Sequence, residues 1–192
     1  LHLVSMKDSD FFTWRRECSL RFQKLTCTDE VYQELQRQTQ ALEFDYYALC
    51  VRHPVPFTRP KISVHTTYPP QWQAQYQSKN YFAIDPVLKP ENFIQGHLPW
   101  TDELFADAEE LWHSAREHGL RTGITQCPMP PNHALGFLSV SRTSMLESPL
   151  DHEEIELRLQ LLVQVALTSL IRFEDEMVMP PEMKFRNRIR VI

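Results

Sequence analysis

Apolar residues recur along this chain at two periods, and the switches between them mark its elements. Between Asp8 and Leu25, the residues Phe11, Trp14, Cys18, Phe22 and Leu25 are separated by three, four, four and three positions. That spacing lays one stripe along a helix, opened by residues of capping type. Thr28 reads as the cap of a second helix carrying Val31, Leu35, Gln38 and Leu42. From Tyr46 to Val51 the run is apolar on both alternating faces, the pattern of a buried strand. Three prolines between His53 and Pro60 predict a loop, and Lys61 to Tyr68 a second strand with Ile62, Val64, Thr66 and Tyr68 on one face. Pro69-Pro70 suits the first turn of a short helix reaching Lys79.

Asn80 to Pro99 reads as irregular, with Asp85-Pro86 and Lys89-Pro90 enforcing turns. Thr101 is placed to cap an amphipathic helix whose stripe is Leu104, Phe105, Ala108, Leu111, Trp112 and Ala115, and Gly119-Leu120 to end it in a Schellman motif. Two strands follow, Arg121 to Met129 and Ala134 to Arg142, joined by a Pro-Pro-Asn turn. Ser148-Pro149 opens a last helix of more than twenty residues, ended by Pro180-Pro181. Its apolar residues cover more than one face, so one face can pack on the sheet and another on a partner subunit. Short adjacent strands with tight connections favour an antiparallel sheet, with helices from both ends of the chain covering its two faces.

Composition narrows the function. The chain has 192 residues, 42% of them hydrophobic and 23% charged, enough for one globular domain and unlike a disordered chain. The longest apolar stretch, Leu157 to Ile171, is broken by Arg158, Gln160 and Gln164, so no membrane span is expected. The N-terminus lacks a signal-peptide pattern, and Leu1 to Ser5, before Met6, read as an extension or expression remnant. Cys18, Cys27, Cys50 and Cys127 are widely spaced and read as free thiols in a cytoplasmic protein. A net charge of −5 opposes binding of a polyanion, and the basic tail Lys184, Arg186, Arg188, Arg190 is too short to build a groove reader. Only four glycines are present, none placed to cradle phosphate, which excludes a P-loop or a dinucleotide fingerprint.

Signatures of catalysis are missing as well. No H-E-x-x-H occurs, and His113 and His118 stand about 140° apart around a helix, so no metal or cofactor is expected. Gly136 to Ser141 reads as strand interior and not as a strained nucleophile elbow.

The informative stretch is Tyr68 to Trp100. Trp72 and Tyr76 are four apart, so they stack along one side of a helix and continue the surface that Tyr68 begins. Asp85, fixed by Pro86, follows, and then Trp100 and Phe105. Each alone is explained by core packing, a turn or a hydrophobic staple. Together they combine a donor-only indole, an acceptor-only carboxylate and a phenol that can donate. Such a set complements a ligand with two carbonyls, one N–H and an apolar body. The last helix favours a rival reading, a dimerising scaffold without a ligand. A carboxylate in an aromatic cavity allows another, a lactone-processing enzyme.

Trp72-x3-Tyr76, Asp85-Pro86, Trp100 and Gly123 resemble the invariant positions of LuxR-type quorum-sensing receptors. Asp10-Phe11-Phe12, Tyr46-Tyr47, the run Cys50 to Pro60 and Ile84 to Leu88 resemble one branch of that family more narrowly. The resemblance implies an α/β/α sandwich whose central, mainly antiparallel sheet of about five strands is flanked by helices on both faces. It implies N-acyl-homoserine lactone as the ligand. Trp72 would donate to the lactone carbonyl, Asp85 would accept the amide N–H, Tyr68 would donate to the acyl carbonyl, and Ser139 would assist. Val64, Tyr76, Val87, Trp100, Phe105 and Phe137 would line the cavity, and Ala48 replaces a serine that relatives can carry. The expected division is a binding domain over residues 6–178 and a truncated linker over 179–192. The expected partners are a second copy of the chain in a homodimer and, through a helix-turn-helix domain not present here, DNA.

Overall fold

The computed structural model describes residues 10–53, 61–93, 96–128, 136–146 and 150–178. The proline-rich loop over 54–60, the Pro-Pro-Asn turn, the Ser148-Pro149 opening, the Pro180-Pro181 stop, the tail over 179–192 and the first nine residues lie outside the described residues. Helices α1 (Phe11–Lys24) and α2 (Thr28–Ala41) lead into strands β1 (Tyr46–His53) and β2 (Lys61–Thr66). Next come α3 (Pro70–Ser78), β3 (His97–Pro99), α4 (Glu109–Glu117), β4 (Thr122–Gln126), β5 (Gly136–Arg142) and α5 (His152–Val178).

The strands form one antiparallel sheet in the order β2-β1-β5-β4-β3, which agrees with the expected sheet and places β1 and β5 near its centre. Because β1 is covered on both sides, its continuous apolar run is what that position requires. Tyr47, Leu49, Val51, Leu138 and Val140 face the layer of α1, α2 and α5, where Trp14, Cys18, Phe22, Val31, Leu35 and Leu159 are buried with them. Gln38 sits in the apolar stripe of α2 because its side chain accepts the Trp14 indole N–H at 3.1 Å. Arg158 is tolerated within α5 because it stacks over Trp14 at 4.7 Å and pairs with Glu154. The opposite face of the sheet carries a second core built around Trp72, Tyr81, Val87, Phe105, Leu111 and Leu120.

Several local expectations change. Asp10 precedes α1 without making a side-chain cap. Cys27, not Thr28, stands at the N-cap of α2, and the start of that helix is held by Glu30, which accepts from the Thr26 N–H at 2.6 Å and hydroxyl at 3.1 Å. Tyr68 falls two residues beyond the end of β2. Thr101 Oγ1 does accept the Leu104 N–H at 3.2 Å, but residues 102–107 form turns and α4 begins only at Glu109. The exit of α4 follows the predicted motif: Leu120 N–H donates to Ala115 O at 3.0 Å and Gly119 N–H to Arg116 O at 3.1 Å, with Gly119 at φ +94°. Strand β3 lies in the stretch read as irregular. It is three residues long and pairs only with β4, so no local periodicity announces it.

Candidate ligand-binding site

The site lies between the second core and the sheet. Tyr68 is fixed where the chain leaves β2: its N–H donates to Thr66 Oγ1 at 3.0 Å, and its carbonyl accepts from Gln73 Nε2 at 2.8 Å. Two residues on, the proline-opened α3 begins. Its Trp72 is 3% exposed and meets Tyr76 at 5.9 Å, Tyr81 at 5.7 Å and His118 at 5.3 Å between ring centroids. These contacts hold the indole plane, while its N–H has no hydrogen-bond partner among the described residues. Asp85 caps the short 3-10 turn Pro86–Leu88, with Oδ1 accepting the Val87 N–H at 2.9 Å. Its Oδ2 accepts the Tyr76 hydroxyl at 2.7 Å.

Burial pushes the Asp85 carboxyl above the usual carboxylate range, and the bonds from Tyr76 and Val87 oppose that rise. The phenols of Tyr68 and Tyr76 are raised by burial first and by the Asp85 charge second, so both stay protonated donors. Burial also pushes the Cys50 thiol up to about 11, which removes it as a ready nucleophile.

Trp100 forms the far wall. Its backbone N–H donates to Gly123 O at 2.9 Å, and its ring lies so close that a Cβ on Gly123 would stand 2.1 Å from a ring carbon. Glycine at 123 therefore serves close approach. The Trp100 indole N–H donates to Thr125 Oγ1 at 2.9 Å, and Thr125 shares a 2.8 Å hydrogen bond with Ser139. Phe105 stacks on Trp112 at 4.4 Å and nearly parallel, and Trp112 donates to Asp102 at 2.7 Å.

These groups enclose a cavity of about 500 Å³. All ten residues singled out in the sequence border it: Tyr68, Trp72, Asp85, Ser139, Val64, Tyr76, Val87, Trp100, Phe105 and Phe137. Val64 is 59% exposed on the edge strand, so it stands at the mouth and not in the interior. The sequence reading missed Cys50, Thr66, Leu111 and Leu120 as lining residues, and Thr125 behind them. Strand pairing was the signal that could have found most of these. Ala48 is registered with Thr66 and Ser139, Ser139 with Thr125, and Cys50 with Val64 and Phe137, so two rows cross the sheet beneath the cavity.

Comparison with known proteins shows which family the chain belongs to. The sequence pattern of the autoinducer-binding domain family matches residues 28–170. The chain belongs to the autoinducer-binding domain family. This autoinducer-binding domain is similar to the regulatory protein SdiA of Escherichia coli K12, with 57% identity over 97% of this chain and 78% of the relative. It is similar to the HTH-type quorum-sensing regulator RhlR of Pseudomonas aeruginosa, with 36% identity over 96% of this chain and 77% of that one. A solved structure of SdiA in complex with octanoyl-rac-glycerol superposes with a TM-score of 0.79 at 58% identity, covering 93% of this chain and 73% of that one. The narrower resemblance seen in the sequence is to SdiA, and the fold and the LuxR-type assignment both hold. The domain is therefore the signal-receiving part of a LuxR-type regulator. Among the described residues, no helix is long and apolar enough to cross a membrane.

Proposed function

We propose that this autoinducer-binding domain encloses an N-acyl-homoserine lactone in the cavity and acts as a receptor, without turning the ligand over. The observation that carries the reading is that Trp72, whose N–H has no hydrogen-bond partner among the described residues, lines one aromatic-walled space together with Asp85 and Tyr68. Trp72 Nε1 donates to the lactone carbonyl, Asp85 accepts the amide N–H, and Tyr68 donates to the acyl carbonyl with Ser139 beside it. The apolar walls take the acyl chain. Asp85 already has one protein partner on each oxygen, so the unmet demand rests on Trp72. The Asp85 oxygens keep lone pairs for a further N–H.

Saturating lactone at a hundredfold excess over Kd adds about 2.7 kcal/mol of stability. For a domain of this size that is a rise of roughly 5–10 °C in the melting temperature. A melt that does not move with added lactone overturns the reading. Recovery of chemically unaltered lactone after long incubation is the accompanying expectation, and its hydrolysis would make the protein an enzyme.

A second reading has its own support. The 58%-identical SdiA structure holds octanoyl-rac-glycerol, and a monoacylglycerol offers hydroxyls to Asp85 and an ester carbonyl to Tyr68. Competition between the two ligands in one titration separates shared from independent sites. We place homodimerisation on the outward face of α5, where Leu157 is 42% exposed. Contact with DNA belongs to a separate domain, as in the regulators this chain is similar to, and the protein works in the cytoplasm.

A further inference from the structure

We propose that Thr125, which does not border the cavity, is a positioning residue that fixes the direction of the hydrogen bonds the sheet offers to the ligand. The inference rests on the reading of the cavity given above. An indole N–H can only donate, so the 2.9 Å bond between Trp100 and Thr125 makes Thr125 Oγ1 an acceptor there. Thr125 is 0% exposed, and among the described residues the one other hydrogen-bond partner of its Oγ1 is Ser139 at 2.8 Å. Were Ser139 to donate to Thr125, the Thr125 hydrogen would be buried without an acceptor, an arrangement costing about 1–3 kcal/mol. Thr125 therefore donates to Ser139. Ser139 is itself buried and has no other hydrogen bond among the described residues, so its hydrogen turns to the cavity it lines.

Tyr68 lines the same cavity. The chain of donation thus runs from Trp100 through Thr125 to Ser139, whose hydrogen is free for the ligand. Ser139 thus meets the ligand with its O–H directed outward, as a donor. It selects a ligand acceptor, such as an acyl carbonyl, and disfavours a donor at the same place.

The test is a double-mutant cycle read by titration calorimetry with N-octanoyl-homoserine lactone. Thr125→Val keeps the shape and removes the hydroxyl. It should weaken binding about fivefold in the wild-type background and leave Kd within about twofold in the Ser139→Ala background, because the hydroxyl that Thr125 orients is then absent. Thr125→Ser restores the hydroxyl and should bind like the wild type, which guards against a Thr125→Val protein that merely folds poorly. Equal losses in both backgrounds, or no loss in either, overturn the relay. A wild-type protein that fails to bind the lactone sinks both this inference and the ligand reading, whereas binding with additive losses sinks the relay alone.

Discussion

At the level of single side chains, the site depends on groups of fixed polarity. Trp72→Phe keeps the apolar surface and deletes the indole N–H at that place, so it should weaken lactone binding about tenfold by calorimetry. Asp85→Asn exchanges a charged acceptor for a neutral one and should lose about ten- to a hundredfold. The same substitution reports on pH. Asp85 is raised above its ordinary 3.8, mainly by burial. A carboxyl raised in the folded state favours folding while protonated, an advantage complete below about pH 4 and lost as pH climbs through the raised value. Melts of the empty domain from about pH 4 to about pH 7 should therefore show Asp85→Asn gaining on the wild type as pH rises. A gap that stays flat or closes would place the Asp85 charge outside the folding equilibrium. These residues were legible because their chemistry is carried by type and local spacing: Trp72 and Tyr76 on one helix face, and Asp85 before Pro86. Thr125 was not legible. Its role exists only through Trp100 and Ser139, which are 25 and 14 residues away.

At the level of elements, the walls are set by a few enforced contacts. Gly123 on β4 admits the Trp100 ring, and a methyl there would meet ring carbons at 2.1–2.5 Å. Gly123→Ala should destabilise the domain by about 1–3 kcal/mol in urea unfolding and alter its near-UV circular dichroism, because the indole must leave its seat. An unchanged spectrum would show that the ring can shift without consequence. The helices with a single clean stripe, α1 and α2, were readable to within a few residues. The entry to α4 was not, because Leu104, Phe105 and Ala108 continue a helical spacing through a segment that forms turns. Phe105 is drawn instead into stacking on Trp112, a tertiary contact that overrides the periodicity.

At the level of the molecule, the sheet separates two layers with different duties. The α1, α2 and α5 side is a filled core, and the α3 and α4 side surrounds a cavity of about 500 Å³. A layer around a void has fewer apolar contacts per residue and opens locally at lower free energy. In the empty domain, amides of α3 and the turns over 81–88 should exchange hydrogen faster than those in the middle of α5. Lactone at a hundredfold excess over Kd should slow the former by up to about a hundredfold and leave the latter nearly unchanged. Uniform protection of both layers would mean that the ligand acts on global unfolding and not on the cavity side.

The sequence by itself determined the class of elements, the two-faced burial of β1, the Schellman exit at Gly119 and the polar and aromatic residue types that a small amphiphile needs. Those follow from local spacing and from the fixed donor and acceptor character of each side chain. Only the tertiary structure decided the strand order β2-β1-β5-β4-β3, the short edge strand β3, the exposed position of Val64 at the mouth and the row that joins Ala48, Ser139 and Thr125. Register between strands is a relation between distant segments. No local pattern encodes it, yet it determines which hydroxyls meet behind the ligand cavity.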